Sequence, residues 1–304
     1  SNGGLNLESG AILKASHNRC DYNADDFCPQ NSVFSAEYVT GAHMITAVEQ
    51  ENIFIKGEGI IDGDSHYWMN DSKRFENSIT FEPNAERPSQ MIFICECKNV
   101  KITDVSLRYG SYWHLFLHGC EDVTVRGLNI KGEICQYTND GIDIDCCRRV
   151  TVSDCIIETG DDGLTLRGNN KKLKNKIHCE DVTVSNCIIS SYGDYAIRVG
   201  VGLAPIKNCI FSNIRIFNSQ CGIGMTACFS LYGTSTGTQI ENISFNNFSI
   251  SALRPIDLRL ISQDGITLTP PCSINNSSLS DITAEGIRDN HLYGYENGNF
   301  PTSA

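Results

Sequence analysis

The sequence predicts an all-β fold, a parallel β-helix in which short strands stack coil upon coil. Three observations predict it: a repeat with a strand-like period of two, turn residues between the repeats, and no convincing long amphipathic helix. The repeat is clearest in CKNVKITDVSL, CEDVTVRGLNI, CRRVTVSDCII and CEDVTVSNCII, which begin at Cys97, Cys120, Cys147 and Cys179. Each segment has a valine three residues after its cysteine, and successive valines are 23, 27 and 32 residues apart. Because such a short unit cannot bury an apolar face alone, the units must stack.

Looser copies extend the repeat over most of the chain. They are ENIFIKGEGIIDG from Glu51, NCIFSNIRI from Asn208, ENISFNNFSI from Glu241 and SINNSSLSDITA from Ser273. We therefore expect about eight coils in a single domain spanning 1–304. The first residues resemble the middle of a strand, which is consistent with a missing N-terminal cap. A propeller needs blades of about 40 residues, and a sandwich gives no reason for a repeated Cys-x-x-Val.

The same repeat accounts for six of the 15 cysteines. The four leading cysteines recur at one position of the coil, and Cys155 and Cys187 share a second. We expect ladders of small buried thiols, about 4.8 Å apart, that need not be bonded. Since no compact Cys/His zinc spacing appears, no structural metal is predicted. Reduced thiols favour a cytoplasmic location.

The charge of the chain limits its partners. The net charge is −12, and nucleic acids and anionic membranes both require a basic face, so neither is expected as the main partner. No apolar run approaches the length of a membrane span, and the first residues do not form a signal peptide. The oligomeric state carries no prediction.

A cluster of carboxylates interrupts the repeat. Asp140 and Asp161 are 21 residues apart, close to the shortest coil step, so Asp140 can lie beside Asp161 and Asp162. Carboxylates this close repel one another, and at least one pKa should rise. Glycoside hydrolysis requires such a set, one protonated acid and one ionised carboxylate. Ordinary Asp-Gly turns and a calcium site are the alternatives. Asp143 and Asp145 should point outward, either solvated or supporting the site.

The order of motifs resembles polygalacturonase-type enzymes of glycoside hydrolase family 28. The similarity runs from about Leu5 to Gly200 and rests on NDGID, TGDD, LNLESGAILKAS, GEGIIDGDSHYW, ERPSQMIFICECKNVKI and SYWHLFLHGCEDVTV. It implies a single-stranded, right-handed parallel β-helix, a pectin-lyase-like solenoid. It also implies hydrolysis of a pectic polysaccharide or oligosaccharide with inversion and without a metal or other cofactor. The family resemblance favours a secreted or periplasmic location, against the cysteines.

The resemblance also implies residue roles. Asp161 would be the general acid, and Asp140 and Asp162 would hold and deprotonate the attacking water. The usual Asn-Thr-Asp is reordered here, since Thr138 precedes Asn139.

Two family motifs are absent. Where the family has Gly-His-Gly, Tyr195 stands at the histidine position with Asp194 beside it. Where it has Arg-Ile-Lys, the chain reads CGIGMTACF around Gly222. These cations would normally bind a uronate carboxylate. Arg198 or Arg167 could replace one of them, and a rhamnogalacturonan-type bond becomes a better candidate than polygalacturonate.

Three functions remain open at this point. The first is the inverting glycoside hydrolase, with Trp68, Tyr112 and Trp113 as candidates to stack on sugar rings. The second is a calcium-dependent polysaccharide lyase, in which the aspartates bind the ion and Arg198 or a lysine is the base. The third is a non-catalytic carbohydrate-binding β-helix.

Overall fold

The computed structural model describes residues 3–31, 37–74, 81–231, 234–260 and 272–293. Its helices are one 3₁₀ turn, Arg19–Asp21, and α1, Ser65–Trp68; neither is long and apolar enough to cross a membrane. All other described elements are strands. They are Gly3–Leu7 (β1), Ile12–Lys14 (β2), Ile45–Val48 (β3), Glu51–Gly57 (β4), Ile60–Asp62 (β5), Met69–Arg74 (β6), Phe81–Pro83 (β7), Ile92–Cys95 (β8), Lys98–Thr103 (β9), Ser106–Arg108 (β10), Leu115–His118 (β11), Glu121–Arg126 (β12), Asn129–Lys131 (β13), Ile142–Asp145 (β14), Arg148–Ser153 (β15), Ile156–Thr159 (β16), Leu164–Gly168 (β17), Cys179–Ser185 (β18), Ile188–Ser191 (β19), Tyr195–Gly202 (β20), Ile206–Thr226 (β21), Cys228–Leu231 (β22), Thr234–Gly237 (β23), Gln239–Arg259 (β24), Ser273–Asn275 (β25), Ser278–Glu285 (β26) and His291–Tyr293 (β27).

Apart from two antiparallel pairs, β6 with β7 and β22 with β23, the strands form three parallel stacks, which confirms the predicted β-helix. The first sheet contains β3, β8, β11, β14, β17, β20, the ends of β21 and β24, and β27. The second sheet contains β1, β4, β9, β12, β15, β18, the starts of β21 and β24, and β25. The third sheet contains β2, β5, β10, β13, β16, β19, the middle of β21 and β24, and β26. The chain passes through the first, second and third sheets in turn in each coil.

The register of the second sheet explains the sequence repeat. The four repeat valines pair with one another on successive coils, at Val100, Val123, Val150 and Val182. The cysteines three residues earlier therefore stack in a ladder, as predicted. For example, the N–H of Cys120 donates to Sγ of Cys147 at 3.3 Å. The described thiols are free, so the interior is held by packing and backbone hydrogen bonds rather than by disulfides.

A left-handed residue marks the entry of each coil into the second sheet. Asparagine and aspartate tolerate this conformation, which explains why they punctuate the repeat. The residues at this position with positive φ are Asn52, Asn99, Asp122, Arg149, Asp181, Asn208, Asn242 and Asn276. Several of the asparagines also hydrogen-bond along the axis, such as Asn99 Nδ2 to Asn52 Oδ1 at 2.6 Å. These ladders keep the coils in register.

The outward faces of the sheets differ in burial. On the second sheet, outward residues such as Lys101, Thr151 and Thr183 are exposed. On the first sheet, every residue of β11, β14, β17 and β20 is buried, including the outward ones. The outward face of the first sheet is therefore the floor of a covered site.

Candidate active site

Four carboxylates lie just before the strands of the first sheet. Asp140 precedes β14, the Asp161–Asp162 pair precedes β17, and Asp194 precedes β20. The N–H of Gly141 donates to the carbonyl of Asp162 at 2.9 Å, so Asp140 and Asp162 occupy equivalent positions on successive coils. This is the grouping that the 21-residue spacing predicts.

The carboxylates line a cavity of about 390 Å³. Both arginines that the sequence singles out, a histidine and two lysines also line it. Its wall includes Trp113, His118, Asp140, Asp161, Asp162, Arg167, Lys171, Lys172, Asp194 and Arg198. The cavity is large enough for a short stretch of a sugar chain, because ligand sites typically occupy about 300–1,000 Å³.

Arg167 holds two buried carboxylates at once. Its Nη2 lies 2.7 Å from Oδ2 of Asp140, and its Nε lies 2.5 Å from Oδ1 of Asp143. The guanidinium also lies 4.2 Å from the ring centroid of Trp113, which stacks on Tyr112 and packs edge-on against Phe116. Trp113 therefore orients Arg167, and Arg167 orients Asp140.

Arg198 has the equivalent role on the next coil. Its Nη1 lies 3.1 Å from Oδ2 of Asp162 and 3.5 Å from Oδ2 of Asp194. The N–H of Tyr195 donates to the other oxygen of Asp162 at 3.1 Å. Asp162 is thus held at both oxygens, which fixes its orientation and matches its negative charge.

Asp161 is the one of these four carboxylates that no arginine contacts among the described residues. Its Oδ2 accepts from the N–H of Thr138 at 2.5 Å, and its Oδ1 accepts from the N–H of Asp162 at 3.0 Å. Oδ1 of Asn139 accepts from the N–H groups of Gly160 and Asp161, so the reordered asparagine shapes the turn that carries the acid. Burial, reinforced by the adjacent charge of Asp162, raises the pKa of Asp161 to about 6.

The neighbouring carboxyl groups also hold protons more strongly than usual. Burial raises the pKa of Asp143 to about 7, although Arg167 opposes the change. Burial, together with the charges of Asp143 and Asp161, raises the pKa of Asp140 as well. Four carboxylates share two arginines here and Asp161 contacts neither, so desolvation and mutual repulsion dominate the electrostatics of the site.

Asp143 and Asp145 support the site from below. Both are at most 2% exposed, so the solvated alternative is wrong, and their contacts fit the supporting one. Asp145 accepts from the N–H of Asn169 at 2.7 Å and lies 3.4 Å from Nδ1 of His118. Burial acts to raise the pKa of Asp145, but His118 outweighs it and lowers the pKa.

Tyr195 lies behind the cavity wall rather than on it. Its side chain is 7% exposed, and its hydroxyl donates to Oδ2 of Asp257 at 2.8 Å. The ring covers Gly224, where an added Cβ would lie 2.3 Å from a ring carbon. Asp257 also pairs with Arg259 at 2.6 Å. A larger side chain at position 224 is therefore incompatible with this placement of Tyr195.

The aromatic candidates do not form an open platform. Trp68, Tyr112 and Trp113 are at most 6% exposed, and of these three only Trp113 reaches the cavity. Their contacts indicate packing rather than sugar stacking.

Sequence reasoning missed His118 and the loop lysines, Lys171 and Lys172. His118 lay in an apolar run, FLH, that gave no sign of a cavity. The longest repeat step, 32 residues between Val150 and Val182, was the available signal for an inserted loop at the site.

Three of the carboxylates could hold a cation. One oxygen each from Asp161, Asp162 and Asp194 lies within 4.8 Å of the others. Arg198 already contacts two of the three residues and supplies positive charge at that point. The donor set fits a hard cation in type, and the guanidinium competes with it.

The chain is similar to polygalacturonases over much of its length. It is 22% identical to polygalacturonase QRT2 of Arabidopsis thaliana, over 83% of this chain and 63% of that protein. It is 32% identical to a polygalacturonase of Chamaecyparis obtusa, over 79% of this chain and 43% of that protein. The chain thus spans less than two thirds of the length of either relative.

The fold matches a solved enzyme as well. The structure of a polygalacturonase from Erwinia carotovora superposes with a TM-score of 0.71 at 16% identity, covering 95% of this chain and 82% of that one. This likeness supports a right-handed parallel β-helix. The model of the glycosyl hydrolases family 28 matches residues 30–292, and the chain therefore belongs to that family.

Proposed function

We propose that the protein is an inverting glycoside hydrolase that cleaves a pectic or related plant polysaccharide or oligosaccharide. The observation that carries the proposal is the unequal treatment of three adjacent carboxylates. Asp140 and Asp162 each pair with an arginine, whereas Asp161, whose pKa burial raises to about 6, accepts hydrogen bonds only from backbone N–H groups among the described residues. Burial raises the pKa of Asp140 as well, so the arginine contacts rather than the pKa values distinguish the three carboxylates. Hydrolysis of a glycosidic bond needs this division between a protonated acid and carboxylates that handle water.

The roles follow from the contacts. Asp161 donates its proton to the glycosidic oxygen as the bond to the leaving sugar breaks. Asp162, whose charge Arg198 matches, accepts a proton from the attacking water. Oδ1 of Asp140 is buried and has no hydrogen-bond partner among the described residues, so it can accept a hydrogen bond from that water. Arg167 and Arg198 are positioning residues that hold these two carboxylates in place.

The contacts of the arginines also bear on the substrate. Both guanidinium groups are already paired with aspartates, so neither is a ready substitute for the missing Arg-Ile-Lys clamp. Polygalacturonate places a carboxylate on every sugar, and a cavity this acidic disfavours that density of charge. We therefore favour a bond with a neutral sugar on one side, as in a rhamnogalacturonan-type polymer.

The other two functions receive less support. For a lyase, Arg198 is a poor base, because the carboxylates of Asp162 and Asp194 outweigh its burial and raise its pKa further, which leaves only a lysine for that role. A purely binding protein gains nothing from holding several carboxyl groups in costly proximity.

The test is release of sugars from a panel of pectic and rhamnogalacturonan oligosaccharides. Wild type is compared with Asp161→Asn and with Asp154→Asn, an exposed turn aspartate, each with and without a calcium chelator. Release that survives the chelator and Asp154→Asn but is lost in Asp161→Asn supports the hydrolase. Unsaturated, ultraviolet-absorbing ends, or loss of activity on chelation, would favour the lyase. Binding without release would favour the non-catalytic alternative.

A further inference from the structure

A basic loop borders the cavity of an acidic protein. The loop is 169–178, NNKKLKNKIH, between β17 and β18, and the chain has a net charge of −12. Two of its four lysines, Lys171 and Lys172, line the cavity. A run of lysines is usually just a solvated surface, and a binding role requires that the loop be fixed and that an ammonium group be left without a protein partner.

The loop is anchored against the neighbouring coils. Leu173 is 1% exposed and packs on Gly119, where an added Cβ would lie 2.8 Å from the leucine side chain. The backbone N–H groups of Lys174 and Asn175 both donate to a carboxylate oxygen of Glu96 at 2.9 Å. These contacts tie the loop to the ends of β8 and β11, so its lysines have defined positions.

Three of the four ammonium groups are engaged within the protein. Lys172 donates to the carbonyl of Asn31 at 2.5 Å, Lys174 pairs with Glu49 at 2.5 Å, and Lys176 donates to the carbonyl of Asn170 at 3.0 Å. Within the described residues, the ammonium of Lys171 has no hydrogen bond or ion pair. It is thus a cation that faces the cavity and is left for a ligand.

A histidine lies at the same end of the cavity. His118 precedes Gly119, on which the loop packs, and its ring also lines the cavity. Asp145 lies 3.4 Å from its Nδ1 and accepts from the N–H of Asn169, the first residue of the loop, at 2.7 Å. The remaining cations of the cavity wall, apart from the loop, are the two arginines already paired with aspartates.

We propose that Lys171, with His118 beside it, forms a carboxylate-binding subsite that takes a uronic acid unit of the substrate. The inference rests on the proposed function and identifies the sugar that binds at one end of the cavity. An acidic sugar binds at the Lys171 end, and the neutral sugar lies toward Asp194 and Arg198, where no uncommitted cation is available among the described residues. The cavity then selects a polymer that combines acidic and neutral sugars.

The experiment measures binding in the Asp161→Asn background, where turnover cannot interfere. The probes are a disaccharide of galacturonate and rhamnose and its methyl ester, titrated by calorimetry into the background protein and into Lys171→Ala, Lys171→Arg and Lys174→Ala. We expect Lys171→Ala to weaken binding of the acidic disaccharide about tenfold, as for one lost charge-assisted hydrogen bond, and binding of the ester less than about twofold. Lys171→Arg should restore binding, and Lys174→Ala, whose ammonium pairs with Glu49, should match the background.

Equal weakening of the acid and the ester would overturn the subsite, and so would unchanged binding in Lys171→Ala or no binding of either probe. The two proposals fail separately. If no oligosaccharide in the panel is cleaved but binding of the acid still depends on Lys171, the hydrolase fails and the subsite stands. If cleavage occurs and Lys171→Ala leaves KM for acidic oligosaccharides unchanged, only the subsite fails.

Discussion

The first and second sheets share one coil and one alternation pattern, yet their outward faces hold charge in opposite ways. On the second sheet, ion pairs are solvated: Arg149 contacts Asp122 at 2.6 Å, and both side chains are at least half exposed. On the first sheet, Arg167 contacts Asp140 and Asp143 with all three side chains at most 11% exposed. The same backbone thus carries surface ion pairs on one side and a desolvated charge cluster on the other.

The difference shows what the fold contributes to the site. Exposed pairs are screened and worth little, whereas a buried carboxylate depends on its partner and shifts its pKa when partners are too few. Of these two sheets, the outward residues of β14 and β17 are buried on the first, and outward residues of β15 and β18 are exposed on the second, so only the first can shift the pKa of an acid toward 6. The comparison predicts that equivalent substitutions will have unequal effects on the two sheets.

The largest effect should come from Asp161→Asn. The amide keeps the shape of the side chain but cannot donate the acid proton, so we expect kcat/KM to fall about 10²–10⁴-fold. Asp154→Asn, on an exposed turn with φ of 58° that asparagine tolerates, should leave activity unchanged. Steady-state rates on the best oligosaccharide of the panel decide the matter. Comparable losses of activity in both variants would mean that Asp161 on the first sheet has no specific catalytic role.

Next in size is the loss of stability in Arg167→Ala. This change leaves Asp140 and Asp143 buried without their cation, and removing one member of a buried pair typically costs about 3–5 kcal/mol. Arg149→Ala, on the second sheet, should cause no measurable change. Urea unfolding at pH 7 measures both, and repetition at pH 5 should shrink the Arg167→Ala loss because the carboxyl groups then take up protons. A loss that is the same at both pH values would contradict this account.

The β-helix could be predicted from the sequence because every coil of a solenoid uses the same residue pattern. The Val100, Val123, Val150 and Val182 ladder and the adjacent cysteines follow from residue spacing alone. The grouping of Asp140 with Asp162 follows in the same way, since the two residues are about one coil apart in the sequence.

Burial of the outward face could not be predicted in this way. The alternation in β14 predicts that Asp143 and Asp145 point away from Ile142 and Ile144, but it does not predict what covers them. The cover comes from loops of irregular length, such as 169–178, whose course depends on contacts far along the chain like that of Lys174 with Glu49. For the same reason, spacing could not reveal that Arg198 binds Asp162 or that Tyr195 reaches Asp257.

The pH profile of the reaction tests whether Asp161 is the acid. Asp161 must be protonated to act as the acid, and burial raises its pKa to about 6. We therefore expect kcat/KM to fall on the alkaline side with a midpoint near pH 6, approaching tenfold per pH unit, because this parameter reports the free enzyme. Initial rates at constant ionic strength from pH 4 to 9 test it. An alkaline limb above pH 8, or none, would remove Asp161 from the role of acid.

The smallest predicted effect concerns stability rather than activity. The pKa of Asp161 rises from the usual 3.8 to about 6 on folding, so the folded state binds more protons than the unfolded state between these values. Stability from this group is therefore fully present below pH 3.8 and is lost as pH rises through 6. Asp161→Asn removes the titration and should be more stable than wild type by about 1–3 kcal/mol at pH 7.5 but not at pH 3.5. Thermal unfolding of both proteins, with Asp154→Asn as the control, measures the difference at each pH. If Asp161→Asn instead destabilises the protein at pH 7.5, the ionised carboxylate of Asp161 stabilises the folded state. The two sheets would then differ in solvent exposure but not in electrostatic destabilisation.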